Sequence, residues 1–585
     1  MKKYARVISF ILCCLFVISS VGCNQTVDKE QPPEPAESND AANETETLFK
    51  SGTYTGISKG RNGPIVVQID FSDDTIDDVR VISHRETYNV GDVPIKTYPK
   101  IIVENQSLDV DIVSGATISS VAFMEAVNQC VKEAGADPAQ LKEPIPVAEK
   151  AEDTTADIVV IGGGSAGMTA AIYGANAGRK VILVEKLGFV GGTSAFSIES
   201  FGSSETSVHK GLGITATSEQ NYESFVKANP KGDPEAFRIL ADNNGKAADW
   251  LKSIGAPLSV TNNPFSVTSN REAGPLGLVI TSALAAEMKK AGVDIRVNTK
   301  ATEIVMEDGE IAGVKVENPA GEYVIKSKAV IIASGGFAAN NEMVSKYMPE
   351  LKGYNSSCSI GAKGDGHLMA EALGAELMDM DYIRVNFTYH TDGVRYYYIG
   401  CLPNNGAIFV NNEGERFIND QAAYGAGKTV VDQGGTGWMI FDQSMIDSIE
   451  EVREYYELGL FESAPTIGEL ADKIGVNKDN LIATVEKYKG FVEKGVDEDF
   501  GRKMLNLTFD EAPFYACKMT CHVQGTFGGI KTDTNAQVLK TDGTIIPGLY
   551  AAGECASAGT YGANPAAVNI VFGKIAGENA ANYSE

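Results

Sequence analysis

Apolar and polar residues alternate over residues 65–71 and again over 76–82, the period-two signature of strands with one buried face. Over residues 119–134 the apolar positions Val121, Met124, Ala126, Val127 and Val131 fall on one side of a helix, and Ser119 stands where an N-cap hydroxyl belongs. A Gly-containing stretch, Ser51-Gly52-Thr53-Tyr54-Thr55-Gly56, opens this region. Together these elements predict a small α+β domain over residues 49–137. Further on the pattern changes to short, unbroken apolar runs at 156–161, 180–184 and 330–333. The first runs into Gly162-Gly163-Gly164-Ser165-Ala166-Gly167 and then into a predicted helix through Gly174 and Ala177.

The first residues read as an export signal. Lys2, Lys3 and Arg6 precede an apolar run over 7–18, followed by Ser19, Ser20, Val21, Gly22 and Cys23. The run is shorter than the roughly 20 residues that a membrane span needs. Ser20-Val21-Gly22-Cys23 resembles a bacterial lipobox, which implies removal of residues 1–22 and a lipid anchor on Cys23 at the outer face of a membrane. The alternative is an ordinary secreted protein. Residues 23–48, with Gln31-Pro32-Pro33-Glu34-Pro35 and acidic, small and amide residues, cannot bury a core and predict a flexible stalk.

At 585 residues with 61 glycines and 43% hydrophobic residues, the chain is globular and has room for several cores. A net charge of −27 argues against non-specific nucleic-acid binding. The cysteines beyond the signal are scattered, form no disulfide framework by spacing, and include no Cys-x-x-Cys-His haem motif. Cys517, Cys521 and His522 lie in a stretch that reads as buried strand rather than as a metal site, so no metal is expected.

Just ahead of the 119–134 helix stands Asp111-Ile112-Val113-Ser114-Gly115-Ala116-Thr117. A small-residue turn presents a hydroxyl beside a helix N-terminus, whose N–H groups can hold a phosphate. The stretch resembles the motif of FMN-binding domains in sodium-pumping NADH dehydrogenase and related redox proteins. Asp111, Ser114, Gly115, Ala116 and Thr117 match it, and Gly52, Tyr54 and Gly56 fit the same family's opening. The resemblance implies FMN attached to Thr117 through a phosphoester by a flavin transferase. Residues 138–153, carrying Pro138, Pro144 and Pro146, predict a linker.

Gly162, Gly164 and Gly167 between strand and helix, with Glu185 ending the next strand, form a dinucleotide fingerprint. The glycines admit the pyrophosphate, and Glu185 suits the adenosine ribose hydroxyls. Ala166 belongs to the same turn. The accompanying stretches are Lys186, Gly191-Gly192-Thr193-Ser194, Ser334-Gly335-Gly336, Gly553-Glu554 and Asn569-Ile570-Val571. The set resembles the flavoprotein family of fumarate reductase, succinate dehydrogenase and 3-ketosteroid dehydrogenase. It implies non-covalent FAD, with Glu554 at the ribityl region and Asp365, in Gly364-Asp365-Gly366, near the isoalloxazine. The implied fold is α/β: the small α+β FMN-binding domain, then a Rossmann-like FAD-binding domain in two parts, 154–380 and 523–585, interrupted by an inserted α+β cap domain over 381–522.

Reduction of a C=C bond needs a hydride on one carbon and a proton on the other. By resemblance to the soluble fumarate reductases, Arg416 is a candidate proton donor; an ordinary cap salt bridge is the alternative. The dicarboxylate clamp of those enzymes is absent. Its histidine positions fall on Gln524, beside Gly525, and on Asn386; its arginine falls on Pro565; its proton relay falls near Gly400 and Pro403. A dianion would lose most of its charge-assisted hydrogen bonds. Tyr561 in Thr560-Tyr561-Gly562-Ala563 and Tyr424 after Arg416-Phe417-Ile418-Asn419 resemble instead the carbonyl-polarising and proton-transferring tyrosines of the ketosteroid branch. Arg384, His390 and Arg395 either bind one carboxylate or face solvent, and Tyr396-Tyr397-Tyr398 either lines an aromatic pocket or forms a surface strand. The expectation is an extracytoplasmic flavin-dependent reductase of an enoate or enone, fed with electrons through FMN by a membrane or extracellular donor. The alternatives are a fumarate- or urocanate-type reductase and a ketosteroid-type dehydrogenase running oxidatively.

Overall fold

The computed structural model describes residues 47–585 apart from 87–89, 114, 146–151, 198–199, 262, 270–272, 392–395, 422–425, 558 and 561–562. Cys23, the stalk, Arg395, Tyr424 and Tyr561 lie outside the described residues.

The N-terminal domain is a three-stranded antiparallel sheet, Gly52–Lys59, Pro64–Phe71 and Ile76–Ser83, packed against two helices, Asp92–Asn105 and Thr117–Glu133. The alternation of the middle strand places Ile65, Val67, Ile69 and Phe71 inward, against Phe123, Ala126 and Val127 of the second helix. That helix begins at Thr117, two residues before the expected start. Ser119 is not its N-cap: the side chain is buried and its hydroxyl donates to Glu86.

In the main domain a six-stranded sheet runs in the order Asp294–Arg296, Val181–Val184, Ile158–Ile161, Ala329–Ile332, Ile545–Ala551, Gln537–Leu539. All pairs are parallel except the last. The unbroken apolar runs are explained by burial of both faces. Ile158 and Val160 point toward the helices Ser165–Asn176 and Pro565–Tyr583. Val159 and Ile161 point toward a second sheet that contains Lys300–Glu307, Glu310–Asn318 and Gly321–Lys326. The cleft at the C-terminal ends of the parallel strands is where such sheets take ligands.

The inserted domain has its own core around the long strand Phe514–Thr526, which pairs with Ile383–Thr391 on one side and Thr436–Asp442 on the other. Helix Lys478–Lys494 presents Leu481, Val485, Tyr488 and Phe491 to that core at helical spacing, capped by Asn477 and ended by Gly495. Cys517 and Cys521 are buried on the long strand, as the sequence pattern predicts, and among the described residues no cluster suits a metal.

Candidate functional site

Three neighbouring clefts share walls. The first lies at the ends of the parallel strands and is lined by Gly162, Gly164, Ala166, Glu185, Lys186, Gly192, Thr193, Ser194, Asp365, Glu554 and Asn569, all expected from the sequence. A Cβ on Gly167 would fall onto the Gly162 carbonyl, so this glycine sets how closely helix and turn pack. A Cβ on Gly164 would meet nothing, because this glycine faces the open cleft and leaves room for a pyrophosphate. Ser165 and Ser194 share a hydrogen bond of 2.8 Å, and Asn569 Nδ2 donates to the Ser165 hydroxyl at 3.1 Å. The buried Glu185 accepts N–H groups from Gly163 and Leu187, each at 2.8 Å, which fixes its carboxyl at the cleft floor. Burial pushes its pKa up, against the opposing pull of those N–H groups and Lys186.

Asp365 pairs with Lys186 and so stands beside the Glu185 end of the cleft, which departs from its expected place near the isoalloxazine. At the other side Glu554 accepts the Thr526 N–H at 2.9 Å, and burial raises its pKa while Thr526, Gly336 and Arg384 pull it down. Gly525 is buried, and a Cβ there would lie 3.5 Å from Glu554 Oε1, so it borders this end of the cleft. Ile570 and Val571 require a correction. Both side chains pack in the core beneath the sheet rather than into the cleft, since their helix turns only Asn569 toward it.

The second, smaller cleft shares Gly553, Glu554 and Asn569 with the first and adds Phe527, Ala556, Ser557, Thr560, Ala563, Pro565 and Val568. Among its described lining residues there is no Lys, Arg or His. Arg384 stands at its border, with its guanidinium carbon 4.5 Å from the Phe527 ring centroid and its backbone paired to Gly525.

The third cleft contains Thr117, exposed at the first turn of its helix, together with Arg61, Phe189, Cys358, Ser359, Tyr389, Tyr396, Tyr398 and Gln524. Gln524 therefore faces the Thr117 side and not the small cleft beside Glu554, which corrects its expected place in the substrate site. Tyr396 and Tyr398 line the pocket from the edge strand Tyr396–Tyr398, so both expectations for this run meet in one element. The walls from Arg61, Phe189 and Tyr389 were not anticipated; only the Tyr396-Tyr397-Tyr398 run carried a signal.

Two further expected residues move elsewhere. Asn386 is fully buried opposite His522, and its carbonyl is occupied by the Thr388 N–H at 3.0 Å and hydroxyl at 2.8 Å. Arg416 is locked in the inserted domain's core. Its guanidinium meets Asp420 at 2.5 Å and Asp497 at 3.0 Å, with Tyr488 and Phe500 rings about it. Arg502 joins the same cluster at 3.3 Å from Asp420. Burial pulls the Arg416 pKa down, but the two carboxylates more than offset it, so the group stands above its ordinary value. A guanidinium held this way touches none of the three clefts and is a poor acid, so Arg416 is a structural ion pair rather than a proton donor. His390 is occupied as well, with Nδ1 2.8 Å from the Lys518 carbonyl.

Comparison with known proteins agrees with this geometry. A family profile described as an FAD binding domain matches residues 157–571, and one described as an FMN-binding domain matches residues 60–132. A urocanate reductase of Eggerthella lenta is 34% identical over 90% of this chain and 92% of its own length. A fumarate reductase (cytochrome) of Shewanella frigidimarina is 35% identical over 74% of this chain and 78% of its own. The open conformation of a flavocytochrome c3 fumarate reductase superposes with a TM-score of 0.67 at 31% identity, covering 76% of this chain and 84% of that one. The glycine turn, Glu185 and the open face of Gly164 suit FAD, and the cleft beside Thr117 suits FMN. With both profiles matched and both clefts formed, this chain belongs to the FAD-binding family of fumarate and urocanate reductases, flavin-dependent oxidoreductases acting on C=C bonds, and its cofactors are FAD and FMN.

Proposed function

We propose that the protein reduces the C=C bond of an α,β-unsaturated monocarboxylate or enone with a largely apolar body, and that FMN is joined covalently to Thr117 by a flavin transferase. The observation that carries the acceptor class is the lining of the cleft beside Glu554, where Phe527, Ala563, Pro565 and Val568 stand and no described cation does. A dicarboxylate needs two charge-assisted clamps in such a place. Arg384 over Phe527 favours one carboxylate at the border of the cleft. Of the two relatives above, the one named for urocanate fits this better than the one named for fumarate.

When bound, FMN supplies electron entry and FAD supplies hydride for the acceptor carbon. The chain's own residues do the rest. Glu185, Ser165, Ser194 and Asn569 would hold FAD in the main cleft, where their own hydrogen bonds set their positions. Phe527 and Val568 exclude water from the acceptor, and Tyr561 and Tyr424 remain the proposed carbonyl and proton partners. The mature protein is proposed to sit on the outer face of a membrane through lipid on Cys23, drawing electrons from a membrane or extracellular donor. The basic, apolar and small-residue order of residues 1–23 supports that reading. Loss of fatty-acid labelling in Cys23→Ala tests it.

The acceptor is tested by reducing the flavin-loaded protein without oxygen and mixing it with fumarate, urocanate, an aryl enoate or a steroid enone. Flavin reoxidation and a product two hydrogens heavier are the readouts. Turnover of the monocarboxylates or the enone, with fumarate slowest, is expected. Fumarate as the fastest acceptor would overturn the reading.

A further inference from the structure

The cleft beside Thr117 has a volume of about 340 Å³, and only part of its wall comes from the N-terminal domain. Across from Thr117 stand Tyr389, Tyr396, Tyr398 and Gln524 of the inserted domain and the long strand that leads out of it. The two sides are tied together. Arg61 Nη2 donates to the Tyr396 carbonyl at 3.1 Å, and its guanidinium carbon lies 4.9 Å from the Tyr396 ring centroid. The Tyr397 hydroxyl donates to the Arg61 carbonyl at 3.4 Å. Gly115, with φ of 94°, comes so near the main domain that a Cβ there would lie 2.9 Å from Cε1 of Phe189.

The aromatic wall is braced from behind. Tyr389 stacks on the buried His522 at 4.7 Å, and Tyr396 lies 5.2 Å from the same ring. Tyr398 packs 5.4 Å from Tyr389. In the same wall Gln524 Oε1 is a buried acceptor without a hydrogen-bond partner among the described residues. An unpaired buried acceptor is costly unless a ligand supplies the donor. A flat, largely apolar ring system with one N–H donor answers both features, and an isoalloxazine is such a group. Ser359 lines this cleft and the FAD cleft alike, and its N–H donates to Thr193 Oγ1 at 3.0 Å. Cys358 beside it donates to the Gln524 carbonyl at 2.9 Å.

We infer that the FMN ring sits in a composite site. Its second wall is Tyr389, Tyr396, Tyr398 and Gln524, latched to the N-terminal domain through Arg61, and the Cys358–Ser359 segment is the partition shared with the FAD cleft. The inference rests on FMN attachment at Thr117. It makes the N-terminal domain's contact with the inserted domain a part of the flavin site rather than incidental packing.

The test uses the full, flavin-loaded chain and reads FMN emission and its quenching by iodide. Tyr396→Leu removes the ring, Tyr396→Phe keeps it, and Arg61→Ala breaks the latch from the other side. Loss of one stacking ring should shift the docked-to-undocked ratio by roughly two- to tenfold. Iodide-accessible emission should therefore rise by about that factor in Tyr396→Leu and Arg61→Ala, and stay at the parent level in Tyr396→Phe. FAD adds the same background throughout, since neither residue lines its cleft. Parent emission as accessible as that of free FMN, or no change in Tyr396→Leu and Arg61→Ala, would overturn the composite site. Mass analysis of the same samples separates the two levels: an unmodified Thr117 would remove the attachment reading and the inference with it.

Discussion

In the FAD cleft the tightest surface is a backbone turn, with the Ser165, Ser194 and Asn569 side chains joined beside it. Gly162 to Gly167 turn within six residues, and Glu185 is pinned by two amides of the same neighbourhood. In the FMN cleft the wall is mostly side chains, brought together from Arg61, Thr117, Phe189, Ser359, Tyr396 and Gln524, which come from three parts of the fold. The first kind of site is made by local geometry and tolerates almost no added volume. The second exists only once the domains are docked, and each side chain contributes a modest share.

The sharpest break in that comparison is Gly167→Val. Its side chain would meet the Gly162 carbonyl and should cost more than about 4 kcal/mol and all bound FAD. Any chain that still folds should keep FMN on Thr117, so flavin analysis of the soluble fraction reads the difference. Arg416→Gln comes next, as a control outside both clefts. It leaves Asp420 and Asp497 with fewer partners in a dry core and should cost about 3–5 kcal/mol in thermal or urea unfolding. Turnover per folded molecule should stay within about twofold, whereas loss of a true general acid costs about a hundredfold or more.

Two histidines are buried near these sites, His367 in the helix that begins at Asp365 and His522 behind the tyrosines of the third cleft. Burial lowers both pKa values from 6.5 to about 4. The unfolded chain therefore binds more protons between these values. Stability from each is whole above about pH 6.5 and is lost as pH falls toward 4, on the order of 3 kcal/mol apiece. Glu185 and Glu554, with raised pKa values, act in the opposite sense, since their burial cost is relieved as pH falls. His522→Phe should flatten the acid limb of a stability–pH curve, and an unchanged limb would count against this. The smallest effect is expected from Lys186→Ala, which removes a partly exposed ion pair to Asp365 and should change stability by less than about 1 kcal/mol.

What could be read from the sequence follows the same division. The glycine turn and Glu185 were legible from the spacing of neighbouring residues, whereas Thr193, Glu554 and Asn569 came from the family resemblance; the structure brings all of them to one cleft. Thr117 was expected from the resemblance of its turn, and the structure places it in a cleft. Arg416 misled because Asp497, which locks it, lies 81 residues away. Ile570 and Val571 misled because successive helical residues point about 100° apart, so Asn569 faces the cleft while its next two neighbours turn into the core. Gln524 was placed in the wrong cleft because a strand's two faces look alike until a neighbouring domain covers one. The Tyr389 and Phe189 walls had no local signature at all.

The two flavins are held in two unlike ways, and denaturing the loaded protein separates them most directly. Acid precipitation followed by flavin and peptide mass analysis should release FAD into the supernatant. FMN should remain on the precipitated chain, in one-to-one ratio with the FAD released, on the peptide carrying Thr117. Release of both flavins, or an adduct on any other residue, would contradict it.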